Sequence, residues 1–364
     1  MERKNNPDFL LLGLSCALIV FGVLILGSVS SSFSISKTGN PFYFLKHQLI
    51  FGLLPGLLLG YIAYAFPLQK LKKLSVISFL CSIGLLLLVF FPVIGGQVKG
   101  AYRWVDLGFA SFQPSEFLKV GFILYLASWL SSRIEQKKKN NFLAPFIAML
   151  GAVALLLLLQ RDVSTLGIIA LVGTVMYFLA ETPIWHIFFI MGGGLSAIFL
   201  IVRLAPYRFT RFITFLNPNL DPLGTGYHIK QALIGIGSGG ITGVGLGLSF
   251  QKFGVLPEPM SDSIFAIFAE EMGFLGGVLL LLLFLAFVLR AFIVAKRVKD
   301  HFAKFVAVGV ASWIGLQAFI NIGSMVGILP LAGIPLPFIS YGGSALVSEL
   351  IGVGLLLNIS KQAS

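Results

Sequence analysis

Apolar runs of about 20 residues recur along the whole chain, and short polar segments separate them. An α-helix of this length spans the hydrocarbon core of a membrane. The pattern therefore predicts an all-α, polytopic integral membrane protein with about ten transmembrane helices and both termini on one side. The predicted helices lie at 9–28, 45–66, 74–94, 115–131, 142–159, 164–180, 184–204, 263–290, 305–328 and 340–360.

The longest polar segment and the first apolar run need separate interpretation. Residues 205–262 predict a large extracytoplasmic loop between helices 7 and 8, within a single membrane domain of residues 1–364. The first apolar run follows two basic residues and precedes a serine-rich stretch, so a cleaved signal peptide is the alternative there. Because the run is long and further spans follow it, we interpret it as the first helix.

Positive charge is distributed unevenly between the two sides. Of the 26 basic residues in a chain of net charge +12, 15 lie in the two terminal tails and in 67–73, 132–141 and 290–304. The predicted topology places all of these segments on one side, which the positive-inside rule identifies as cytoplasmic. Membrane topology therefore accounts for most of the net positive charge, which gives no reason to expect a nucleic-acid ligand. The other basic residues face outward and favour an anionic ligand, with snorkelling to lipid phosphates as the alternative.

Residue placement argues against several kinds of site. Cys16 and Cys81 fall inside predicted helices without metal-ligand neighbours, and the four histidines are scattered. The glycines within 235–240 match a dinucleotide-binding spacing, which has meaning only between a strand and a helix. We interpret this stretch as tight turns beside a short amphipathic helix at 226–236, for which a ligand contact and a membrane-surface position are both open.

Asp262 is the most informative single residue. It lies where the long polar segment meets the uncharged run 264–269, and a carboxylate at a membrane boundary is costly to place. Pro257 and Pro259 stiffen the chain just before it. The local sequence is equally compatible with a functional carboxylate and with an ordinary helix N-cap.

A second group of polar residues surrounds the start of the fourth predicted helix. Pro114 and Glu116 are typical of a helix N-terminus. Lys119 lies at i+3 from Glu116, so the two side chains are expected to pair on one helix face. Such a pair would place a positive charge at the floor of an outer cleft, with Asp162 nearby, although a purely structural ion pair explains the spacing equally well.

Together these motifs resemble the SEDS family of shape, elongation, division and sporulation proteins. The segment 333–344 (GIPLPFISYGGS) is similar to the hallmark of that family, and the resemblance covers nearly the full chain. Within the family the match is closer to the FtsW branch than to the RodA branch, because of 251–253 and 256–259. Other motifs that agree in order are Arg103-Trp104, 113–116 with Lys119, Tyr207-Arg208 with Arg211, Gly226-Tyr227, 231–247, Asp262 and 270–273.

The resemblance implies a peptidoglycan glycosyltransferase of the bacterial cytoplasmic membrane. Such an enzyme polymerises lipid II, an undecaprenyl-pyrophosphate-linked disaccharide-pentapeptide, into β-1,4 glycan strands at the outer face, here in septal synthesis during cell division. By the family pattern Asp262 is the essential acid, and as general base it would accept the proton of the attacking hydroxyl. A divalent cation, Mg²⁺ or Mn²⁺, is an expected cofactor, with no organic cofactor. Expected partners are lipid II, a class B penicillin-binding protein (a transpeptidase), division-complex membrane proteins and membrane lipids.

The same resemblance predicts a set of substrate-binding residues around Asp262. Basic members of this set would offset the charge of the leaving pyrophosphate. The set comprises Arg103, Trp104, Gln113, Ser115, Glu116, Lys119, Asp162, Arg208, Arg211, Tyr227, Lys230, Gln231, Lys252, Glu258, Ser261, Ser340 and Ser344.

The chain departs from the family pattern at three places. His228 stands where many members carry Gln, and Ser261 and Ser263 flank the acid in place of Thr and Phe. Residues 161–165 read RDVST where Pro-Asp-Leu/Phe-Gly-Thr is commoner. Because Asp262 itself is retained, the expected activity stands, while the geometry around it is open.

Three alternative functions are a lipid II flippase, a RodA-like role and a non-catalytic scaffold. A lipid II flippase would suit the membrane-embedded Gln317, Asn321 and Glu349, although helix–helix hydrogen bonding also explains the first two. A flippase needs such groups in both halves of the membrane, whereas the candidate residues cluster at the outer face. A RodA-like role in elongation and cell shape, and a non-catalytic scaffold in which Asp262→Ala is harmless, are further alternatives.

Overall fold

A computed structural model of the protein describes residues 6–91, 95–98, 101–106, 108, 111–136, 143–204, 206–221 and 224–362. Helices make up most of this structure. They are α1 (Phe9–Thr38), α2 (Tyr43–Gln48), α3 (Leu54–Ala65), α4 (Leu68–Leu88), α5 (Pro114–Glu135), α6 (Leu143–Leu159), α7 (Val163–Phe178), α8 (Ile184–Leu204), α9 (Pro206–Leu216), α10 (Thr225–Ser238), α11 (Ile264–Arg297), α12 (His301–Met325) and α13 (Gly343–Ser360). A π-helical turn, Leu49–Leu53, joins α2 to α3 into one continuous rod.

The polytopic membrane class is confirmed. Among the described residues, seven helical segments are long and apolar enough to cross a membrane, namely 9–38, 43–65, 68–88, 114–135, 264–297, 301–325 and 343–360. Shorter apolar helices occupy 143–159, 163–178 and 184–197. Every predicted span thus overlaps a helix, while the count of ten membrane crossings stays a prediction.

The described part of the chain adds two features to the predicted all-helical bundle. A three-stranded antiparallel sheet, β1 (Gly95–Val98), β2 (Ala101–Asp106) and β3 (Ser111–Phe112), precedes α5. The aromatic and β-branched residues of β2 favour a strand in a segment too polar to span a membrane. The long segment 205–262 contains α9 and α10, and α10 confirms the short helix expected at 226–236.

The basic segments meet at one end of the bundle. Asp8 pairs with Arg290 at 2.8 Å, and the Asp8 amide donates to Ser360 Oγ near the C-terminus. Lys72 pairs with Glu135 at 2.7 Å across the α4–α5 interface. Burial by itself raises the pKa of Asp8, but hydrogen bonds from Arg290 and the Leu11 amide and the Arg290 charge outweigh it and lower that pKa. The contacts agree with the shared side that the charge pattern predicts.

Helices α12 and α13 form the centre of the bundle. In their most apolar stretches 78% and 89% of residues are buried, against 33% in α1 and 22% in α4. The mean hydropathy of these stretches is 1.7 and 1.5, against 2.9 in α1. Because α12 and α13 contact protein rather than lipid, they accommodate polar side chains that a lipid-facing helix excludes.

Helix α11 bends sharply at Gly273, where φ is 65° and ψ is −167°. This break leaves backbone groups without helical partners. The glycine-rich segment 240–245 supplies those partners: the amides of Phe274 and Leu275 donate to the carbonyls of Gly240 and Ile241, at 2.9 and 3.1 Å. The glycines therefore let one backbone approach another closely.

Gly273→Ala is expected to destabilise the protein by at least about 1–3 kcal/mol, because its backbone region is essentially restricted to glycine. An added Cβ would also lie only 2.3 Å from the amide nitrogen of Gly243. Gly84→Ala is the control, since no atom outside its own helix lies within 4 Å of a Cβ there. Thermal unfolding midpoints of the purified variants in detergent measure both effects. Equal midpoints for the two variants would contradict the role given to this bend.

Candidate functional site

Asp262 lies at the edge of the protein interior, two residues before α11 begins at Ile264. Its side chain is partly exposed, whereas residues 263–271 are buried. Ser263, rather than Asp262, occupies the position immediately before the helix. The interpretation of Asp262 as the N-cap is therefore wrong, and the carboxylate needs another explanation.

The turn that carries Asp262 is held by its own backbone and by α10. The amides of Ser261 and Ser263 both donate to the carbonyl of Glu258, at 3.2 and 3.3 Å. Glu258 is exposed and adopts a left-handed backbone with φ of 49°. Ser261 Oγ donates to Asp262 Oδ1 at 2.8 Å, and Ser263 Oγ lies 2.6 Å from Nε2 of His228. The position of the carboxylate is thus defined on both sides.

Residues 333–342, which we call the hallmark loop, pack against this turn. Ser340 Oγ donates to the carbonyl of Ser261 at 2.6 Å. A Cβ atom built on Gly333 would lie 3.3 Å from Asp262 Oδ2. The segment that carries the family resemblance therefore forms one wall of the space around Asp262.

The end of the hallmark loop is fastened to α2. Gln48 Nε2 donates to the carbonyl of Ser340 at 3.4 Å, and Gln48 Oε1 accepts from the amide of Gly342 at 3.1 Å. The Tyr341 hydroxyl lies 2.9 Å from Nδ1 of His47. Burial raises the pKa of Tyr341 to about 12, so this hydroxyl remains protonated at neutral pH. Sequence reasoning missed His47 and Gln48, for which the one signal was two polar residues inside an apolar run.

Buried side chains of α12 and α13 hold the other side of the hallmark loop. Gln317 Nε2 donates to the carbonyl of Pro335 at 3.1 Å and to Glu349 Oε1 at 3.3 Å. Glu349 Oε2 accepts from the amide of Phe338, at 2.7 Å. Phe338 has a left-handed φ of 63°, so the backbone is irregular at this point. Gln317 and Glu349 therefore bind protein backbone.

Asn321 contacts both the turn and the hallmark loop. Its Nδ2 donates to the carbonyl of Asp262 at 2.9 Å and to that of Ile334 at 2.7 Å. From the sequence, Asn321 was assigned only to a transport path or a helix–helix contact.

The predicted pairing of Lys119 with Glu116 is confirmed, with Nζ and Oε2 2.8 Å apart. Lys119 is only 2% exposed. Its ammonium also donates to Gln317 Oε1 at 2.8 Å and lies 4.7 Å from the centre of the Trp313 ring. The pair is therefore buried in the core, and its place at the floor of an outer cleft stays a prediction.

Asp162 joins the start of α5, the helix that carries Glu116 and Lys119, to the start of α7. Its Oδ2 accepts from Ser115 Oγ at 3.0 Å and from Gln113 Nε2 at 3.3 Å. It also caps α7 by accepting from the Thr165 amide. The Gln113 amide in turn donates to Ser344 Oγ at 2.9 Å, where α13 begins. These four predicted residues thus form one buried junction.

Arg103 and Trp104 lie in β2, beside that junction. Arg103 Nη2 donates to the carbonyl of Arg161, the residue that precedes Asp162. Trp104 is partly buried in the same strand. The small sheet therefore brings an arginine to the edge of the Asp162 junction.

Lys252 is buried and forms an ion pair rather than an exposed cationic site. Its Nζ lies 3.1 Å from Oε1 of Glu271, whose other oxygen accepts from Ser28 Oγ at 2.7 Å. The neighbouring Glu270 accepts from the amides of Phe250 and Gln251. The two glutamates therefore fasten the glycine-rich loop to α11 and α1.

The remaining predicted residues line α9 and α10. Lys230 Nζ donates to Asn219 Oδ1 at 2.7 Å, and Gln231 Oε1 accepts from Gln251 Nε2 at 3.4 Å. Tyr227 is partly buried in α10, and Arg211 is partly buried in α9. Arg208 belongs to α9, and its side chain falls outside the described part of the structure.

Residues 9–364 match the sequence profile of the FtsW/RodA/SpoVE family, described as "Cell cycle protein". The chain belongs to this family.

Two relatives of the chain are a sporulation protein and an FtsW protein. Stage V sporulation protein E of Bacillus subtilis (strain 168) is 40% identical over 99% of this chain and 98% of its own length. The probable peptidoglycan glycosyltransferase FtsW of Coxiella burnetii (strain RSA 493 / Nine Mile phase I) is 39% identical over 100% and 99%. These matches confirm the predicted FtsW-like character.

Two solved structures share the fold over almost the whole chain. One, described as "Structural coordination of polymerization and crosslinking by a peptidoglycan synthase complex", has a TM-score of 0.81 with 29% identity and covers 98% of each chain. The rod shape determining protein RodA of Thermus thermophilus has a TM-score of 0.70 with 27% identity, covering 97% of this chain and 96% of its own.

Replacing Lys119 or Glu116 alone with Ala is expected to destabilise the protein by about 3–5 kcal/mol, because each change leaves a buried charge unpaired. The matched control is the exposed Lys72–Glu135 pair, whose side chains are 28% and 51% exposed. Single Ala variants of this exposed pair are expected to lower the free energy of unfolding by less than about 1 kcal/mol. Thermal unfolding in detergent compares the two pairs. Similar small losses at both would show that the buried pair is not needed for stability.

Proposed function

We propose that this protein is a peptidoglycan glycosyltransferase that polymerises lipid II into β-1,4 glycan strands. Support comes from relatives that carry the name "Probable peptidoglycan glycosyltransferase FtsW" and match the chain end to end. The observation that carries the proposal is the partly exposed Asp262 carboxylate, which the hallmark loop holds at the end of the bundle opposite the basic segments.

Asp262 acts as the general base. It accepts the proton of the C4 hydroxyl of the acceptor GlcNAc while that oxygen attacks the anomeric carbon of the donor MurNAc. The new C–O bond forms as the bond to undecaprenyl pyrophosphate breaks from the opposite face, so α becomes β. Ser261 orients the carboxylate through Oδ1, and Gly333 leaves space beside Oδ2 because it has no side chain.

The leaving pyrophosphate carries charge that the protein offsets from several directions. Arg103 reaches the edge of the Asp162 junction, and Arg208 and Arg211 belong to α9, which contacts α10. Developing negative charge in a site of low dielectric is stabilised strongly by such preorganised groups.

A divalent cation is part of this proposal. The described residues contain no group of three His, Cys, Asp or Glu side chains that could hold a metal without other ligands. Mg²⁺ is commonly bound by one or two carboxylates together with substrate phosphates. Mg²⁺ or Mn²⁺ bound to the substrate pyrophosphate would offset leaving-group charge, and no residue of this chain is assigned as its ligand.

The proposal places the protein in the bacterial cytoplasmic membrane, with both termini cytoplasmic and Asp262 on the extracytoplasmic side. The cluster of basic segments at the opposite end supports this orientation. The role is septal synthesis during cell division, with a class B penicillin-binding protein as partner. Similarity to a chain from a complex described as coordinating polymerization and crosslinking supports such a partner.

The flippase alternative loses its main support. Gln317 and Glu349 bind each other and the backbone of the hallmark loop, and Asn321 binds two carbonyl groups. Polar groups that serve the protein's own interior do not line a transport path.

Asp262→Asn is expected to lower lipid II polymerisation by about 10²- to 10⁴-fold, because the amide cannot accept the proton. The control is Asp300→Asn at the basic end of the bundle, where Asp300 caps α12 and asparagine caps equally well. Glycan strands made by each purified variant with the cognate transpeptidase would be measured.

Equal strand yields from wild type and Asp262→Asn would remove Asp262 from the chemistry. If neither makes strands but wild type moves lipid II across vesicle membranes, the protein is a flippase.

A further inference from the structure

Asn321 connects the residue that carries the reactive carboxylate to the hallmark loop. It lies in α12, is 1% exposed, and donates through Nδ2 to the carbonyls of Asp262 and Ile334, at 2.9 and 2.7 Å. Its Oδ1 is buried and makes no hydrogen bond within the described structure. The two donated bonds therefore set the orientation of this amide.

Both segments that Asn321 joins are irregular in structure. Asp262 precedes the first turn of α11, and 330–336 has no regular secondary structure. Carbonyl groups in irregular backbone inside a membrane protein need partners, which side chains, other backbone groups or ordered water supply. Asn321 supplies one donor to each segment from a rigid helix at the centre of the bundle.

This geometry also fixes the space beside Asp262. One Asn321 bond holds the main chain of Asp262, and the other holds the residue next to Gly333, which lies beside Asp262 Oδ2. The distance between Asp262 and the hallmark loop therefore depends on both bonds at once.

We infer that Asn321 is a positioning residue that sets the distance between the Asp262 carboxylate and the hallmark loop without touching substrate. This inference rests on the proposed role of Asp262 as general base. Loss of such positioning lowers kcat rather than the affinity for lipid II, because displacement of about 1 Å costs up to 100-fold in rate.

The chain contains a matched control at the other end of the bundle. Asn358 of α13 also donates through Nδ2 to two carbonyls, those of Ala63 and Phe66, at 2.9 and 2.6 Å. It is 8% exposed. Asn358 lies 15 positions beyond the start of α13 at Gly343, which is about 22 Å along a helix. It therefore makes the same kind of contact far from Asp262.

The test compares Asn321→Asp with Asn358→Asp, since aspartate has the shape of asparagine and lacks the N–H donors. Asn321→Ala and Asn358→Ala repeat the comparison without adding a buried charge, in case an aspartate variant does not fold. For each purified variant with the cognate transpeptidase, kcat and KM for lipid II are measured together with the thermal unfolding midpoint.

We expect the substitutions at both positions to lower the thermal unfolding midpoint. Only the Asn321 variants should lower kcat, by about 10- to 100-fold, with KM within about twofold of wild type. Unchanged kcat, an equal kcat loss at Asn358, or a raised KM with unchanged kcat would each overturn the inference.

An Asp262→Asn arm separates this inference from the proposal on which it rests. Full activity of Asp262→Asn means that the general-base role fails, and with it the reason for positioning. An inactive Asp262→Asn together with fully active Asn321 variants means that the base is correct and that Asn321 does not position it.

Discussion

The hallmark loop is an irregular backbone inside a membrane domain, and its polar groups must find partners there. Water is scarce in such an interior, and an unsatisfied amide or carbonyl costs several kcal/mol in hydrocarbon, by an order-of-magnitude estimate. Gln48, Gln317, Asn321 and Glu349 meet this requirement from α2, α12 and α13. The location of Asp262 depends on this arrangement, because the loop then holds the turn through Ser340.

The need to satisfy buried backbone groups also explains how the glycine-rich segment packs against α11. The bend at Gly273 removes helical hydrogen bonds from α11, and the glycine-rich segment replaces them with its own backbone. Glu270 and Glu271 then hold that segment through amides, serines and Lys252. The many glycines and the two adjacent acids therefore act together to hold the glycine-rich segment against α11, which begins two residues after Asp262.

Burial also changes what several charged residues do. Lys119 and Lys252 each belong to a buried ion pair, whereas Arg103 and Arg211 are only partly buried. Lys119 pairs with Glu116 in its own helix and donates to Gln317 of α12, while Lys252 joins the segment after α10 to α11. This distinction was invisible in a list of basic residues, because residue type and sequence spacing do not reveal depth.

The sequence alone determined the membrane class and the overlap of each predicted span with a helix. It also determined the shared end of the basic segments, the α10 helix and the Glu116–Lys119 pair. Each depends on a periodicity or a spacing within one segment, or on the bias of charged loops. Tertiary structure alone decided that Asp262 is not a helix cap, that Lys119 is enclosed, and that His47, Gln48 and Asn321 support the site. These contacts join segments far apart in the chain, and local sequence carries no record of which distant backbone group a buried amide meets.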